Sequence, residues 1–314
     1  MKGKCVVVTG GAGFIGSNLA RALAQDNTVI VIDDLSTGYF KNIRDLVDTN
    51  KIKFIKGSVT DLDILQKTFR DVDYVFHQAA ITSVPKSIED PVKSNDVNVN
   101  GTLNVLVAAR DNNVKKVVFA SSCSVYGDTP TLPKHEDMIP RPISPYSVNK
   151  LIGEYYCSVF TKVYGLKTAA LRYFNVYGPR QDPKGDYAAV IPRFINMFLK
   201  NKPPVIYGDG EQTRDLIYVN DVVNANIIAA ESKETGIFNI AGGKQVSINK
   251  LAKHIMQITG KNLQPVYKKS RLGDIIHSSA DISKAKQKLG YEPKFALQKG
   301  LEETIKWFQK QKKK

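Results

Sequence analysis

Thr9-Gly10-Gly11-Ala12-Gly13-Phe14-Ile15-Gly16 follows the apolar run Cys5-Val6-Val7-Val8 and opens an amphipathic stretch over residues 15–25. The three glycines at 10, 13 and 16 have separate physical tasks in such a strand–turn–helix unit. Gly10 permits the tight turn, Gly13 lets the backbone approach a pyrophosphate, and Gly16 allows close packing of helix on sheet. Free N–H groups and the dipole at the helix start favour the anion. The pattern also needs an acid at the end of the second strand, and Ile30-Val31-Ile32-Asp33-Asp34 supplies Asp33. Its carboxylate can accept hydrogen bonds from the adenosine ribose and would repel a 2′-phosphate, so the stretch predicts NAD rather than NADP.

Outward from this turn, short β-branched runs alternate with amphipathic stretches. The runs are Cys5–Thr9, Thr28–Asp33, Lys53–Lys56, Tyr74–His77, 117–121 and 168–174, with helices expected at 15–25, 61–69, 97–111 and 146–164. Nearly continuous apolar strands fit a sheet covered by helices on both faces. The fold class is therefore α/β, a doubly wound parallel (Rossmann) sheet over residues 1–174. After Phe174 proline and glycine become frequent, with a helix expected at 188–199. Residues 175–219 and 242–314 read as a second, smaller, loop-rich α/β substrate lobe. A helix near 222–230 and a strand near 237–241 are expected to return to the sheet, a return of about 220–241.

The chain has 314 residues, 42% hydrophobic and 24% charged, an ordinary globular composition. No apolar run approaches the roughly 20 residues of a membrane helix, and the N-terminus lacks the sections of a secretory signal. Cys5, Cys123 and Cys157 are scattered, with neither a disulfide framework nor metal-ligand spacing. They point to a reducing cytoplasm and to no metal. The formal net charge of +15 is spread over the whole chain and its lysine tail without a nucleic-acid motif. It reads as a solvated surface, with no nucleic-acid or membrane partner.

Tyr146-Ser147-Val148-Asn149-Lys150 places a phenol and an ammonium four residues apart, on one face of the expected helix. A free phenol, with a pKa of about 10, is a poor base near neutrality. The ammonium, with a positively charged nicotinamide, is expected to favour the phenolate and lower that value. Ser121-Ser122-Cys123-Ser124 ends a strand, where parallel sheets present their ligands, and offers a hydroxyl beside the tyrosine.

With these motifs the chain resembles the extended short-chain dehydrogenases/reductases, and within them the nucleotide-sugar epimerases. The resemblance extends through Phe76-His77-Gln78-Ala79-Ala80, Asn98-Val99-Asn100-Gly101-Thr102, Leu171-Arg172-Tyr173-Phe174-Asn175, Tyr207-Gly208-Asp209-Gly210, Arg214-Asp215 and residues 271–281. It implies Ser122 as the catalytic hydroxyl, Tyr146 as acid/base and Lys150 as its electrostatic partner. Tyr146 would take the sugar 4-hydroxyl proton while the C4 hydride passes to NAD, and the 4-keto sugar would turn over before receiving it on the opposite face. Gly10, Gly13, Phe14, Ile15, Gly16, Asp33, Ser58, Val59, Gln78, Ala79, Ala80, Asn98 and Tyr173, with Tyr146 and Lys150, are the implied cofactor contacts. The family usually has Gly-Asp after the third strand; this chain has Gly57-Ser58, and Asp61 reads as a helix cap.

Related dehydratases carry Asp-Glu in the loop after the catalytic hydroxyl, and glucuronate decarboxylases keep the Glu. Cys123-Ser124 has neither carboxylate, which disfavours elimination and decarboxylation and favours C4 epimerisation, with a uronic acid nucleotide kept as an alternative substrate. Retention of both Tyr146 and Lys150 argues against a non-catalytic dinucleotide sensor. Cys123 reads as a packing residue. The resemblance further implies a UDP-sugar substrate. Asn175, Arg214 and Arg271 match diphosphate contacts, Val205 and Tyr207 the positions beside uracil, and Asp274 a ribose contact, with Ser83 and Val190 also at the substrate. Ser278, where a tyrosine would restrict the site to glucose and galactose, matches epimerases that accept N-acetyl sugars. Ser124 and Gln181 match acetamido contacts, and His277 a pocket wall. The expected reaction is UDP-N-acetylglucosamine/UDP-N-acetylgalactosamine epimerisation, with UDP-glucose/UDP-galactose as a second activity. A homodimer through helices 97–111 and 146–164 is implied.

Overall fold

The computed structural model describes residues 1–183, 189–270 and 276–312. Its strands in chain order are β1 (Cys5–Thr9), β2 (Thr28–Asp33), β3 (Lys53–Lys56), β4 (Tyr74–His77), β5 (Lys116–Ser122), β6 (Thr168–Tyr173), β7 (Asn175–Tyr177), β8 (Val205–Tyr207), β9 (Thr213–Tyr218), β10 (Gly236–Ile240), β11 (Gln245–Ser247) and β12 (Val266–Lys268). The α-helices are α1 (Phe14–Leu23), α2 (Arg44–Asp48), α3 (Leu62–Thr68), α4 (Val84–Glu89), α5 (Pro91–Asn95), α6 (Gly101–Asp111), α7 (Pro145–Tyr164), α8 (Val190–Leu199), α9 (Val219–Glu231), α10 (Ile248–Thr259), α11 (Ser283–Leu289) and α12 (Leu297–Lys312).

Seven strands form one parallel sheet in the order β10-β6-β5-β4-β1-β2-β3. Successive residues of β1 face opposite sides: Val6 and Val8 enter one apolar cluster and Val7 the other. This is the period-2 alternation of a strand buried on both faces. Full burial of each such side chain is worth about 1.5–3 kcal/mol. The chain winds outward from β1 to β3 on one side and from β4 to β6 on the other. The order therefore reverses between β1 and β4, where a crevice opens beyond the strand ends. Beyond it, β7, β9 and β11 form a three-stranded sheet and β8 pairs with β12. A third apolar cluster joins α8, α10 and α12 beneath them.

The first four strands coincide with the expected runs. β5 is longer by one residue at each end, because Lys116 is buried and its ammonium is held by the Ser232 and Glu234 carbonyls. A lysine so placed breaks the apolar pattern that marks a strand. β6 stops at Tyr173, one residue short of the expected run, and β10 spans Gly236–Ile240 rather than 237–241. The expected helix over 97–111 divides into a π-turn at Asp96–Asn100 and α6. The helix expected from 188 is described from Val190, Ala188 lying outside the described residues. No helix was expected after residue 241, yet α10, α11 and α12 lie there. In α12 the buried stripe is Leu301, Ile305 and Phe308 on a lysine-rich helix, narrow enough to be masked by its polar neighbours.

Candidate active site

The carboxyl ends of six strands border a cavity of about 890 Å³. At its floor Gly10 has φ +68°, and a Cβ there would stand 2.6 Å from the Ala79 backbone nitrogen. A Cβ on Gly16 would overlap the Gly10 carbonyl. Gly13 caps α1 without a side-chain hydrogen bond, so the first amides of the helix remain open to the cavity wall formed by Phe14 and Ile15. Asp33 Oδ2 accepts from Ala12 N at 2.9 Å and Oδ1 from Leu35 N at 2.8 Å, fixing the acid against the turn. Burial raises its carboxyl above the ordinary value, and those two N–H bonds pull it back. Ser58, Val59, Gln78, Ala79 and Ala80 continue the wall. Ser58 Oγ accepts from Thr60 N and Oγ1, and Asp61 caps α3 by accepting from Ile64 N. Asn98 lies behind the wall: its amide binds both backbone groups of Ile81 and so holds the loop that follows β4.

At the far end Ser122, Tyr146, Lys150, Tyr173 and Ser83 line the same cavity. Tyr146 enters on the first turn of α7, which Ser144 and Ser147 close with a reciprocal capping box after which Pro145 starts the helix. Tyr146 N donates to Ser87 Oγ at 3.1 Å, docking that turn on α4. Ser122 and Tyr146 line the same part of the cavity, and the Ser122 hydroxyl lowers the Tyr146 phenol. Lys150 Nζ is 5.9 Å from the Tyr146 ring centroid and donates to Ala120 O at 2.7 Å. The expectation of a lowered phenol is corrected here: burial pushes Tyr146 up to about 12, and the Ser122 hydroxyl opposes it. Lys150 is itself lowered to about 8 by burial.

A second cavity of about 380 Å³ adjoins the first, Val176 and Ala189 lining both. Asn175, Val190, Tyr207 and Arg214 line it, Arg214 donating to the carbonyls of Thr213 and Ile276. Val205 is outside its wall, and its carbonyl accepts from Arg193. Gln181 lines the first cavity with Oε1 buried and unpartnered, and Ser124 Oγ is buried and unpartnered beside Ser122. Ser278 is half-buried, its N–H donating to Thr213 O, and it lines neither cavity. His277, expected at a pocket wall, is exposed against Thr213 Oγ1. Arg271 and Asp274 lie outside the described residues.

Residues 6–241 match the NAD dependent epimerase/dehydratase family. The chain belongs to this family. Its fold superposes with a TM-score of 0.96 on a UDP-N-acetylglucosamine 4-epimerase from Methanobrevibacter ruminantium in complex with UDP-N-acetylmuramic acid, at 46% identity over 99% of this chain and 100% of that one. A UDP-glucose 4-epimerase from Thermotoga maritima with UDP-glucose gives a TM-score of 0.93 at 41% identity, covering 98% of this chain and 99% of that chain. A Methanocaldococcus jannaschii relative, provisionally named a UDP-glucose 4-epimerase, is 43% identical over 305 residues, 96% of this chain and 97% of its own.

NAD is the family's cofactor, and the residues present fit it. Gly10 and Gly16 leave no room for side chains at the turn, α1 presents uncapped amides, and Asp33 stands at the end of β2. Several residues of these cavities carry no motif in the sequence. Thr37, Tyr39, Arg180 and Asp182 line the first, and the Tyr39 hydroxyl donates to Asp182 at 2.6 Å across its mouth. Arg193 and Gln212 line the second. Arg193 lies three residues after Val190 on α8, a helical spacing that placed it on the same face. Among the described residues no helix is long and apolar enough to cross a membrane.

Proposed function

We propose that the protein interconverts UDP-N-acetylglucosamine and UDP-N-acetylgalactosamine by inverting C4, with UDP-glucose and UDP-galactose as a second pair. Family membership and the Ser122–Tyr146 pair support the reaction class. One observation carries the choice of sugar: Gln181, which lines the first cavity, has Oε1 buried without a partner. Buried polar groups in folded proteins are nearly always satisfied. An acetamido group brings an N–H for that Gln181 oxygen.

NAD, when bound, supplies the nicotinamide ring that takes up and returns the C4 hydrogen. Tyr146 accepts and returns the proton at the sugar 4-oxygen, and Ser122 holds that oxygen by a hydrogen bond. The Ser122 hydroxyl favours the phenolate against burial, and the Lys150 ammonium acts the same way through its charge. Asn175, Tyr207 and Arg214 grip the UDP moiety in the second cavity. Arginine suits that task because its charge is permanent and its donors are paired. Anchoring through the nucleotide leaves the 4-keto sugar free to present its opposite face. Residues after 174, apart from the return to the sheet, serve as the nucleotide-sugar lobe. Three free cysteines agree with a cytoplasmic setting.

A homodimer through α6 and α7 belongs to the same reading. Val148, Tyr155, Val159 and Val163 of α7 are 40–67% exposed at spacings of seven, four and four residues. They form an apolar stripe on the outer face of the helix that carries Tyr146.

Proton NMR of the anomeric region tests the reading, with UDP-N-acetylglucosamine and UDP-glucose incubated separately. A galacto-configured signal from the N-acetyl substrate is the expected result. Conversion of UDP-glucose alone would keep the reaction and overturn the sugar. No change with either, NAD added, would overturn the epimerase reading.

A further inference from the structure

Beneath the acid/base pair lies a buried ion pair that the mechanism above does not use. Tyr146, Lys150 and Glu154 follow one another at four-residue spacing on one face of α7. Glu154 is 1% exposed, and Arg172 of β6, also 1% exposed, clasps it in bidentate fashion. Arg172 Nε is 2.8 Å from Oε1 and Nη2 is 2.7 Å from Oε2. Ser121 Oγ, adjoining Ser122 at the end of β5, donates to the same Oε1 at 2.5 Å. Burial disfavours the guanidinium, but Glu154's hydrogen bonds and charge outweigh it and raise Arg172 above its ordinary value. A buried ion pair contributes little net stability compared with apolar residues of similar volume. Its position at the strand end that carries the catalytic hydroxyl points to another use.

We propose that Glu154 is a positioning residue for the acid/base pair: it locks α7 to the end of β5 through Arg172 and Ser121, and keeps a fixed negative charge one helical turn from the Lys150 ammonium. The titratable groups facing Lys150 are His77 of β4 and, on its own helix, Tyr146, Glu154 and Cys157. His77 is held down near 3 by burial and is neutral. Burial pushes the Cys157 thiol up to about 12, so it too is neutral near pH 7. Glu154 is left to oppose the burial that lowers Lys150 to about 8.

The inference rests on the proposed acid/base reading of Tyr146 and Lys150, and the test separates the two. Full-length protein loaded with NAD and labelled with 13C at lysine Cε is titrated by NMR, the Lys150 signal being assigned from Lys150→Arg. In Glu154→Gln the Lys150 midpoint is expected to fall by about one pH unit, and in Glu154→Asp to return towards wild type. Because Glu154→Gln strands Arg172 in the interior, the double variant Glu154→Gln/Arg172→Met removes both charges and is expected to show a smaller fall in the same direction, the lost guanidinium offsetting part of the lost carboxylate. The alkaline limb of kcat against pH is expected to move with the midpoint. An unmoved midpoint in the folded Glu154→Gln variant would make Glu154 a packing residue and overturn the inference. A wild-type enzyme inert towards every UDP-sugar would overturn the acid/base reading instead, while the titration still decides on Glu154.

Discussion

Lys150 Nζ donates to the Ala120 carbonyl at 2.7 Å, which anchors the ammonium on the last turn of sheet before Ser122 rather than on the Tyr146 phenol. The lysine therefore acts on Tyr146 through space, and its protonation state matters directly. With Lys150 lowered to about 8 by burial, the protonated form that favours the phenolate is lost as pH rises through that value. kcat is expected to decline above about pH 8, read from NMR-quenched rates across a pH series. Tyr146→Phe is expected to lower kcat by about 10²–10⁴-fold with an unchanged circular dichroism spectrum. Activity within a factor of a few of wild type would remove Tyr146 from the chemistry.

The glycine turn makes a prediction about cofactor retention. In Gly10→Ala the new methyl meets the Ala79 backbone 2.6 Å away at φ +68°. The left-handed backbone alone costs about 1–2 kcal/mol. Loss of NAD binding by isothermal titration is expected, with a lowered Tm. Asp33→Asn is the subtler probe. It removes a charge that already accepts from Ala12 and Leu35, and NAD affinity is expected to fall roughly tenfold or more. The preference for NAD over NADP is expected to narrow with it.

The sequence was legible where one physical cause dominates. Strands β1, β2 and β4 are nearly continuous apolar runs, and Gly10, Gly16 and Asp33 have backbone or charge roles that other residues do not fill. Legibility failed where long-range contacts decide. Lys116 belongs to β5 because carbonyls at Ser232 and Glu234, over a hundred residues away, take its ammonium. The raised Tyr146 phenol follows from burial in the folded chain, which helical spacing cannot register. Asn98 matched a family position, yet only the structure gives its partners at Ile81. The nucleotide-sugar lobe was hardest, because its site is assembled from short strands and exposed loops such as the one bearing Ser278.

Asp215 provides a pH test of stability. Its side chain is buried, with Oδ1 accepting from Gly242 N and Gly243 N and Oδ2 from Ala280 N, which draws three separate segments together. Burial raises it from 3.8 to about 6 despite those hydrogen bonds. The folded state thus binds this proton more tightly than the unfolded chain does. The group's contribution to stability falls as pH rises from about 4 to about 6 and is flat beyond, a change on the order of 3 kcal/mol. Urea denaturation of wild type and Asp215→Asn at several pH values is expected to show the gap between them varying over that window. A constant gap would mean that Asp215 does not titrate there.

The choice of sugar can be separated from the fold by one side chain. Gln181 donates Nε2 to Val176 O at 3.1 Å and leaves Oε1 buried without a partner in the main cavity. Gln181→Leu keeps much of the volume and removes the acceptor. A site built to hydrogen-bond one substrate group discriminates through that group, so kcat/KM for UDP-N-acetylglucosamine is expected to fall about 10–100-fold while UDP-glucose changes by about twofold or less. An equal loss on both substrates would assign Gln181 to holding the Val176 backbone between the two cavities. The acetamido reading would then fall, although the epimerase reaction itself would stand.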